Sequence, residues 1–531
     1  MVKKVFFSFV IFMIFLTLLE AGARFFESYI ISHKIEGSSE DGWQTKYFSS
    51  LFKWHEPDPD LLWRIKANMS NPFIETNSRH FIGEEFNIEK NAGSLRILVL
   101  GDSSPIGLGL KSYKFSFPEL LRGSLNSTIS DFTNMEIINA SVIGFTSEQI
   151  KRFLELKGWK LQPDVILLYC GNNDASISGT VTDRQLLNEQ KFRIIRKYLY
   201  KTAIYRLLVN LLTDKEKFDE TKANKLKVRV SPSEFSENLA EIADQCNSNN
   251  CLLVILKPPV PLLWPAGLQF KQFIKSFDSD GQLIMPKQMQ IILGRKLKYC
   301  LDIERFRKLY GIGDKFTKRV YLSTYNDGMT TDRAIDHYSE LLSFHPDDAV
   351  ICNNLGVTYW EAGSYELADK NLKMARQLFS KTNRENTSPA ILSAGCAFLY
   401  NIGINLISNN SSSQEGLIYL DSALQSDFLS LRIKKQYWEA IDDLASQKNV
   451  RIVDLPSLFR ENGNEQLFVD HCHPTAVGHK LIAKEIISKL KEALEKSKPI
   501  TLTPKTLIIA GRFQTFKESN SYYSKQTFLM Y

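Results

Sequence analysis

Residues that could carry covalent chemistry sit where short apolar runs stop. The run 96–100 ends at Gly101-Asp102-Ser103-Ser104, and 136–138 ends at Asn139-Ala140-Ser141-Val142-Ile143-Gly144. Likewise 164–169 ends at Cys170-Gly171-Asn172-Asn173-Asp174, and 251–256 at Lys257-Pro258-Pro259. Far along the chain, Asp470-His471-Cys472-His473-Pro474 stands just before a last helical stretch, 476–494. A serine hydroxyl is a weak nucleophile at neutral pH and needs an adjacent base, which in turn needs a group to orient it. Serine, histidine and aspartate all occur in these blocks. Ser104 beside Ser103, and His471 and His479 beside His473, leave more than one assignment open on residue type alone.

The elements that must position these residues are legible from periodicity. Short apolar runs bounded by polar turns read as buried parallel strands. Between the second and third, Ile150, Phe153, Leu154 and Leu156 give 147–159 a helical face behind a Thr146 or Ser147 cap. Strand, helix, strand makes a parallel crossover, and 451–454 reads as one more strand. Open parallel sheets place ligands at the carboxyl ends of their strands, where the polar blocks lie.

Taken in order, Gly101-Asp102-Ser103, Asn139 to Gly144, Gly171-Asn172-Asn173-Asp174 and Asp470 to Pro474 resemble the four blocks of the SGNH (GDSL-type) serine hydrolases. The resemblance covers about 96–260 and 430–495. It implies an α/β fold, the SGNH (flavodoxin-like) three-layer α/β/α parallel sheet. It carries the nucleophile to Ser103, the base to His473 and the orienter to Asp470, whose spacing of three lets one loop hold both. It carries the oxyanion donors to the main-chain N–H groups of Ser103 and Gly144 and the side-chain amide of Asn173. Gly144 is otherwise a plain turn glycine, and Asn172 is the neighbour most easily mistaken for the donor. Asp102 and Asp174 read as turn-holding residues, and His471 and His479 as solvent-facing or helix-surface histidines. Where many members have Gly after the Asn of the second block, this chain has Ala140-Ser141, with Gly144 still in place. The implied activity is ester hydrolysis without metal or organic cofactor, on a lipid ester, an acylated carbohydrate or a thioester. The alternatives are an O-acyltransferase or deacetylase acting on a cell-surface carbohydrate, or a catalytically idle scaffold.

The chain has 531 residues, 44% hydrophobic and 24% charged, enough to bury several cores and too apolar for global disorder. Its 66 basic against 59 acidic residues give +7, spread without an arginine-rich stripe, which argues against nucleic acid as a partner. Seven Cys with no Cys-x-x-Cys pair imply neither a disulfide framework nor a zinc site. Cys246 and Cys251 are either bridged or free core thiols. Lys3 and Lys4 precede an apolar run, 5–19, that predicts an uncleaved membrane anchor over 1–30, with the bulk of the chain extracytoplasmic. The alternative is a secreted protein cleaved near Ala23.

A lead-in spans 31–95, in which 55–60 and 63–68 resemble the corresponding segment of membrane-anchored SGNH proteins. The hydrolase domain is expected over 96–300, with a basic helical excursion at 184–225, and again over 430–500. About 300 residues separate Gly171 from Asp470, more than the remaining sheet needs. Within them Leu355, Gly356, Tyr359, Ala368, Leu372 and Ala375 follow the tetratricopeptide pattern. A shift of ~34 residues returns Ala334, Tyr338, Leu341 and Pro346. A tetratricopeptide-like helical insert is therefore expected over 301–429, as packing or as a protein-partner surface, and a tail over 501–531.

If the N-terminal run is the sole membrane contact, removing residues 1–30 should move the protein from the membrane to the soluble fraction. Continued sedimentation with membranes would shift the contact to the basic stretch or the tail.

Overall fold

The computed structural model describes residues 2–36, 54–71, 73–128, 134–179, 181–188, 199, 202–212, 227–264, 276–277, 283–284, 330–382, 389–409, 413–427, 431–447 and 450–496. The tail 501–531, the beginning of the expected insert, Cys300 and much of the basic excursion lie outside the described residues.

The N-terminal run forms one helix, α1 (Val2–Glu36). Its segment Phe6–Phe26 has a mean hydropathy of 2.1 and is unburied, long and apolar enough to cross a membrane or to act as a signal sequence. An antiparallel hairpin, His55–Asp58 with Leu62–Ile65, leads into the sheet.

Five strands make that sheet: β1 (Ser94–Gly101), β2 (Asn134–Asn139), β3 (Val165–Tyr169), β4 (Leu252–Lys257) and β5 (Arg451–Asp454), all parallel, in the order 2-1-3-4-5. The order follows from right-handed crossovers placed first on one side of β1 and then on the other. Crossover helices are α2 (Phe117–Thr128), α3 (Ser147–Leu156) and α4 (Pro232–Ser248). Side chains alternate along a strand, and β1 and β3 bury apolar residues on both faces. Leu95, Ile97 and Val99 of β1 join Val165 and Leu167 of β3 against α2, while Leu98, Leu100, Ile166 and Leu168 face α3 and α4.

Between β4 and β5 the described residues include the successive helices α5 (Thr331–Phe344), α6 (Ala349–Glu361), α7 (Tyr365–Thr382), α8 (Pro389–Ser408) and α9 (Ser413–Ser426). They bury cores of their own around Ala334, Tyr338 and Leu341, around Ala368 and Leu372, and around Ala375, Phe398 and Tyr400. A Cβ on Gly356 would meet Leu372 Cγ at 2.7 Å, so α6 and α7 touch through a glycine. The chain returns through α10 (Lys435–Gln447) to β5, then α11 (Leu455–Glu461) and α12 (Ala476–Lys496), which covers the α2 face. Cys246 and Cys251 are both buried free thiols.

Arg96, fully buried in β1, ties the lead-in to the sheet. It donates to the carbonyls of Asn87, Ile88 and Leu161 at 2.8, 2.6 and 2.7 Å and pairs with Glu136 at 2.6 Å. Truncating it leaves Glu136 and three carbonyls without their partner. Arg96→Met is expected to lower unfolding stability by about 3–5 kcal/mol, read as a fall in the urea midpoint. An unchanged midpoint would mean that the network contributes nothing net.

Candidate active site

Three of the polar blocks stand side by side because β2, β1 and β3 are neighbours and all end at the same sheet edge. The turn after β1 depends on Gly101. A Cβ there would lie 2.7 Å from Pro105 Cγ and 2.8 Å from the Tyr169 carbonyl oxygen, so only glycine lets the chain fold back beside β3. Asp102 Oδ1 accepts the Ser104 N–H at 2.8 Å, and Asn139 Nδ2 donates to the Pro105 carbonyl at 3.0 Å. These bonds fix Ser103 at the tip.

His473 arrives on the loop between α11 and α12. Its Nε2 lies 2.7 Å from Ser103 Oγ, and its Nδ1 lies 2.7 and 2.9 Å from the Asp470 carboxylate oxygens. Asp470 Oδ1 also accepts the main-chain N–H groups of Cys472 and His473, at 3.0 and 2.9 Å, so Asp470 shapes the loop that holds His473. Ser103 and His473 are both under one-tenth exposed. Burial alone would pull the His473 pKa down; the Asp470 charge and hydrogen bond, with Cys472 adding to them, outweigh it and hold the imidazole well above its usual range.

Gly144 has φ +80°, a left-handed conformation that favours glycine. Asn173 is buried and gives one amide hydrogen to the Phe145 carbonyl at 3.1 Å, leaving its second. Among the described residues the main-chain N–H groups of Ser103 and Gly144 donate to no acceptor. Unspent N–H groups on a buried turn at Ser103 and a half-buried turn at Gly144 suit a site that receives an anion.

The two remaining acids hold turns. Asp174 accepts from Ser147 N and Oγ at 2.8 and 2.6 Å and from Gly171 N at 3.1 Å, tying the start of α3 to the third block. Burial still pushes its pKa up to about 7, and that of Asp102 up to about 6. Asp470, His471 and Cys472 bring an oxygen, a nitrogen and a sulfur within 4.8 Å of one another. Asp470 is committed to His473, and burial pushes the Cys472 thiol up to about 11, so this trio is better suited to the histidine than to a metal.

Two expectations are corrected. His479 is fully buried: its Nδ1 accepts the Phe117 N–H at 3.1 Å and its ring stacks on Phe117. Burial, then the nearby His473, pull its pKa down to about 3. His471 is half-buried between Trp264, 6.2 Å between ring centroids, and His473, 5.7 Å. Sequence reasoning passed over Trp63 and Arg229, which donate to the Ile143 and Gly144 carbonyls at 2.9 and 2.7 Å. Only the resemblance of 63–68 to a known lead-in pointed at Trp63, and nothing pointed at Arg229.

No family model matches the chain, and no curated protein matches it. Solved structures do. LAE5, an alpha/beta hydrolase enzyme from the metagenome of Lake Arreo, Spain, is 12% identical over 75% of this chain and 95% of its own, with a TM-score of 0.29. Axe2, an acetylxylan esterase from Geobacillus stearothermophilus, is 10% identical over 75% of this chain and 95% of its own, TM-score 0.30. TesA is 18% identical over 32% of this chain, TM-score 0.20, and the match spans 62% of that protein's length. At these identities and scores the likeness establishes neither family nor activity.

The two buried histidines should titrate oppositely. In ring-resonance NMR, His473 is expected to lose its proton above pH 6.5, whereas His479 should stay neutral down to about pH 3. A His479 that titrates near 6.5 would contradict its burial as a hydrogen-bond acceptor.

Proposed function

We propose that the protein is a serine hydrolase of the SGNH (GDSL) type that cleaves a carboxylic ester. The carrying observation is the unbroken chain of short contacts from Ser103 Oγ through both nitrogens of His473 to Asp470. In this reading Asp470 accepts a hydrogen bond from His473 Nδ1–H, which keeps the proton on Nδ1 and leaves the Nε2 lone pair facing Ser103, the tautomer a general base requires. Ser103 attacks the ester carbonyl as His473 takes its proton. His473 then returns that proton to the departing alcohol, and a water deprotonated by the same imidazole releases the acid from Ser103. The negative charge on the carbonyl oxygen falls to the N–H groups of Ser103 and Gly144 and the second amide hydrogen of Asn173.

The remaining assignments belong to the same proposal. α1 anchors the chain with Lys3 and Lys4 on the cytoplasmic side, which leaves the hydrolase domain extracytoplasmic. The helices α5 to α9 form the tetratricopeptide-like insert. An idle scaffold would have no use for a buried serine in contact with a carboxylate-paired histidine.

The test is fluorophosphonate labelling and p-nitrophenyl acetate turnover by the full chain. Ser103→Ala should lose both with its fold intact, and retained turnover would remove Ser103 as nucleophile. Asn173→Ala should lower kcat by ~100-fold. Because His473 must be neutral to take a proton and its pKa is raised, kcat/KM should fall as pH drops through a value above 6.5. A flat profile from pH 6 to 9 would exclude it as the base.

A further inference from the structure

Three consecutive main-chain carbonyls beside the proposed oxyanion site each accept a side-chain donor from a different part of the chain. Ile143 O accepts Trp63 Nε1 at 2.9 Å, Gly144 O accepts Arg229 Nη1 at 2.7 Å, and Phe145 O accepts Asn173 Nδ2 at 3.1 Å. Surface turns usually leave such carbonyls to water. Here a lead-in residue, a residue before α4 and a third-block residue are all spent on one tripeptide.

The Ile143 carbonyl matters most, because it shares a peptide unit with the Gly144 N–H. That unit is planar and trans, so its C=O and N–H point in opposite directions, and fixing one end fixes the other. A glycine at φ +80° places little steric restraint of its own on the plane. The Trp63 indole supplies that restraint twice. Its N–H holds the carbonyl end, and its ring lies where a Gly144 Cβ would meet Cζ2 at 3.3 Å. A hydrogen bond to an amide carbonyl also polarises the amide and makes its N–H a better donor.

The indole is itself held. The Arg229 guanidinium lies 5.5 Å from its ring centroid, and Phe145 meets it edge-on at 6.0 Å. Arg229 is pinned by Asp183 at 2.7 Å and Gln149 at 3.1 Å. Next to Trp63 in the hairpin, the Leu61 carbonyl accepts Gln149 Nε2 at 2.7 Å, and Asp58 pairs with Lys157 at 3.2 Å. The hairpin is thus fastened to both ends of α3.

We infer that Trp63 is a positioning residue for the hydrolytic reaction: its indole N–H, by holding the Ile143 carbonyl, aims the Gly144 N–H at the acyl oxygen. The inference rests on the proposed hydrolase reading. It assigns the N-terminal lead-in a part in transition-state stabilisation, through a residue outside all four polar blocks.

The test removes the N–H and keeps the ring. In the full chain, Trp63→Phe should lower kcat for p-nitrophenyl acetate by about 10-fold, with KM little changed, since the oxyanion forms only after binding. Affinity for a trifluoromethyl ketone, whose serine adduct carries the oxyanion, should fall by a similar factor. Replacement of Trp63 by benzothienylalanine, which has sulfur in place of the indole N–H at nearly the same volume, should reproduce both losses and covers the case in which Trp63→Phe misfolds. A residue of merely structural importance would lower the melting temperature without selective loss of ketone affinity. Folded variants with wild-type kcat and ketone affinity, alongside an impaired Asn173→Ala, would overturn the role of Trp63 and leave the hydrolase reading standing. Unimpaired Ser103→Ala and Asn173→Ala would instead sink the hydrolase reading itself.

Discussion

A 2.7 Å hydrogen bond between Ser103 and His473 closes a loop of 370 residues, and most of the architecture can be understood as what keeps those ends together. Ser103 follows directly on β1, an inner strand, and is held by the sheet. His473 belongs to a loop outside the sheet, so it needs other fastenings. Asp470 supplies some by accepting two N–H groups of its own loop, and a bridge between Phe468 and Pro474 closes the loop's base. The α12 helix then packs its Ile482, Ile486 and Leu490 against α2, which fixes the loop relative to the strand that carries Ser103.

Between the two ends lie the helices α5 to α9, and their joint with the sheet domain is built from buried charge. Arg432, fully buried, pairs with Asp427 at 3.3 Å and donates to the carbonyls of Pro261 and Trp264. Tyr400 of α8 donates to the Leu263 carbonyl at 2.7 Å, and Glu465 accepts the Leu262 N–H at 2.8 Å. Such pairs add little net stability but tolerate few alternative geometries, which is what a joint requires. Trp264 belongs to the core of these helices and also touches His471, so that core extends to the loop holding His473.

The sheet was legible because parallel strands announce themselves as short apolar runs that end in polar turns. The assignment of Ser103, His473 and Asp470 came from the resemblance of the four polar blocks to the SGNH hydrolases, since residue type alone left Ser104, His471 and His479 open. Trp63 and Arg229 were not legible, since a hairpin tryptophan and an arginine in a loop carry no period and become significant only through carbonyls 80 and 85 residues away. The His479 error was avoidable. Ala476, His479, Ile482, Ala483, Ile486 and Leu490 form one helical face, and all are buried. The histidine lay in the apolar stripe and was misread by its residue type.

That stripe position has a chemical consequence. His479 can accept the Phe117 N–H only while its Nδ1 is unprotonated, and its Nε2 is buried without a partner, so a charged His479 has nothing to stabilise it. Protonated His473 nearby makes a second charge harder still. In the proposed reaction, the positive charge that appears beside Asp470 when His473 takes up the proton of Ser103 therefore has no titrating histidine neighbour at position 479. Asp470 lies 2.7 Å from the His473 imidazole and 3.7 Å from that of His471, so its field falls most strongly on the ring in contact with Ser103.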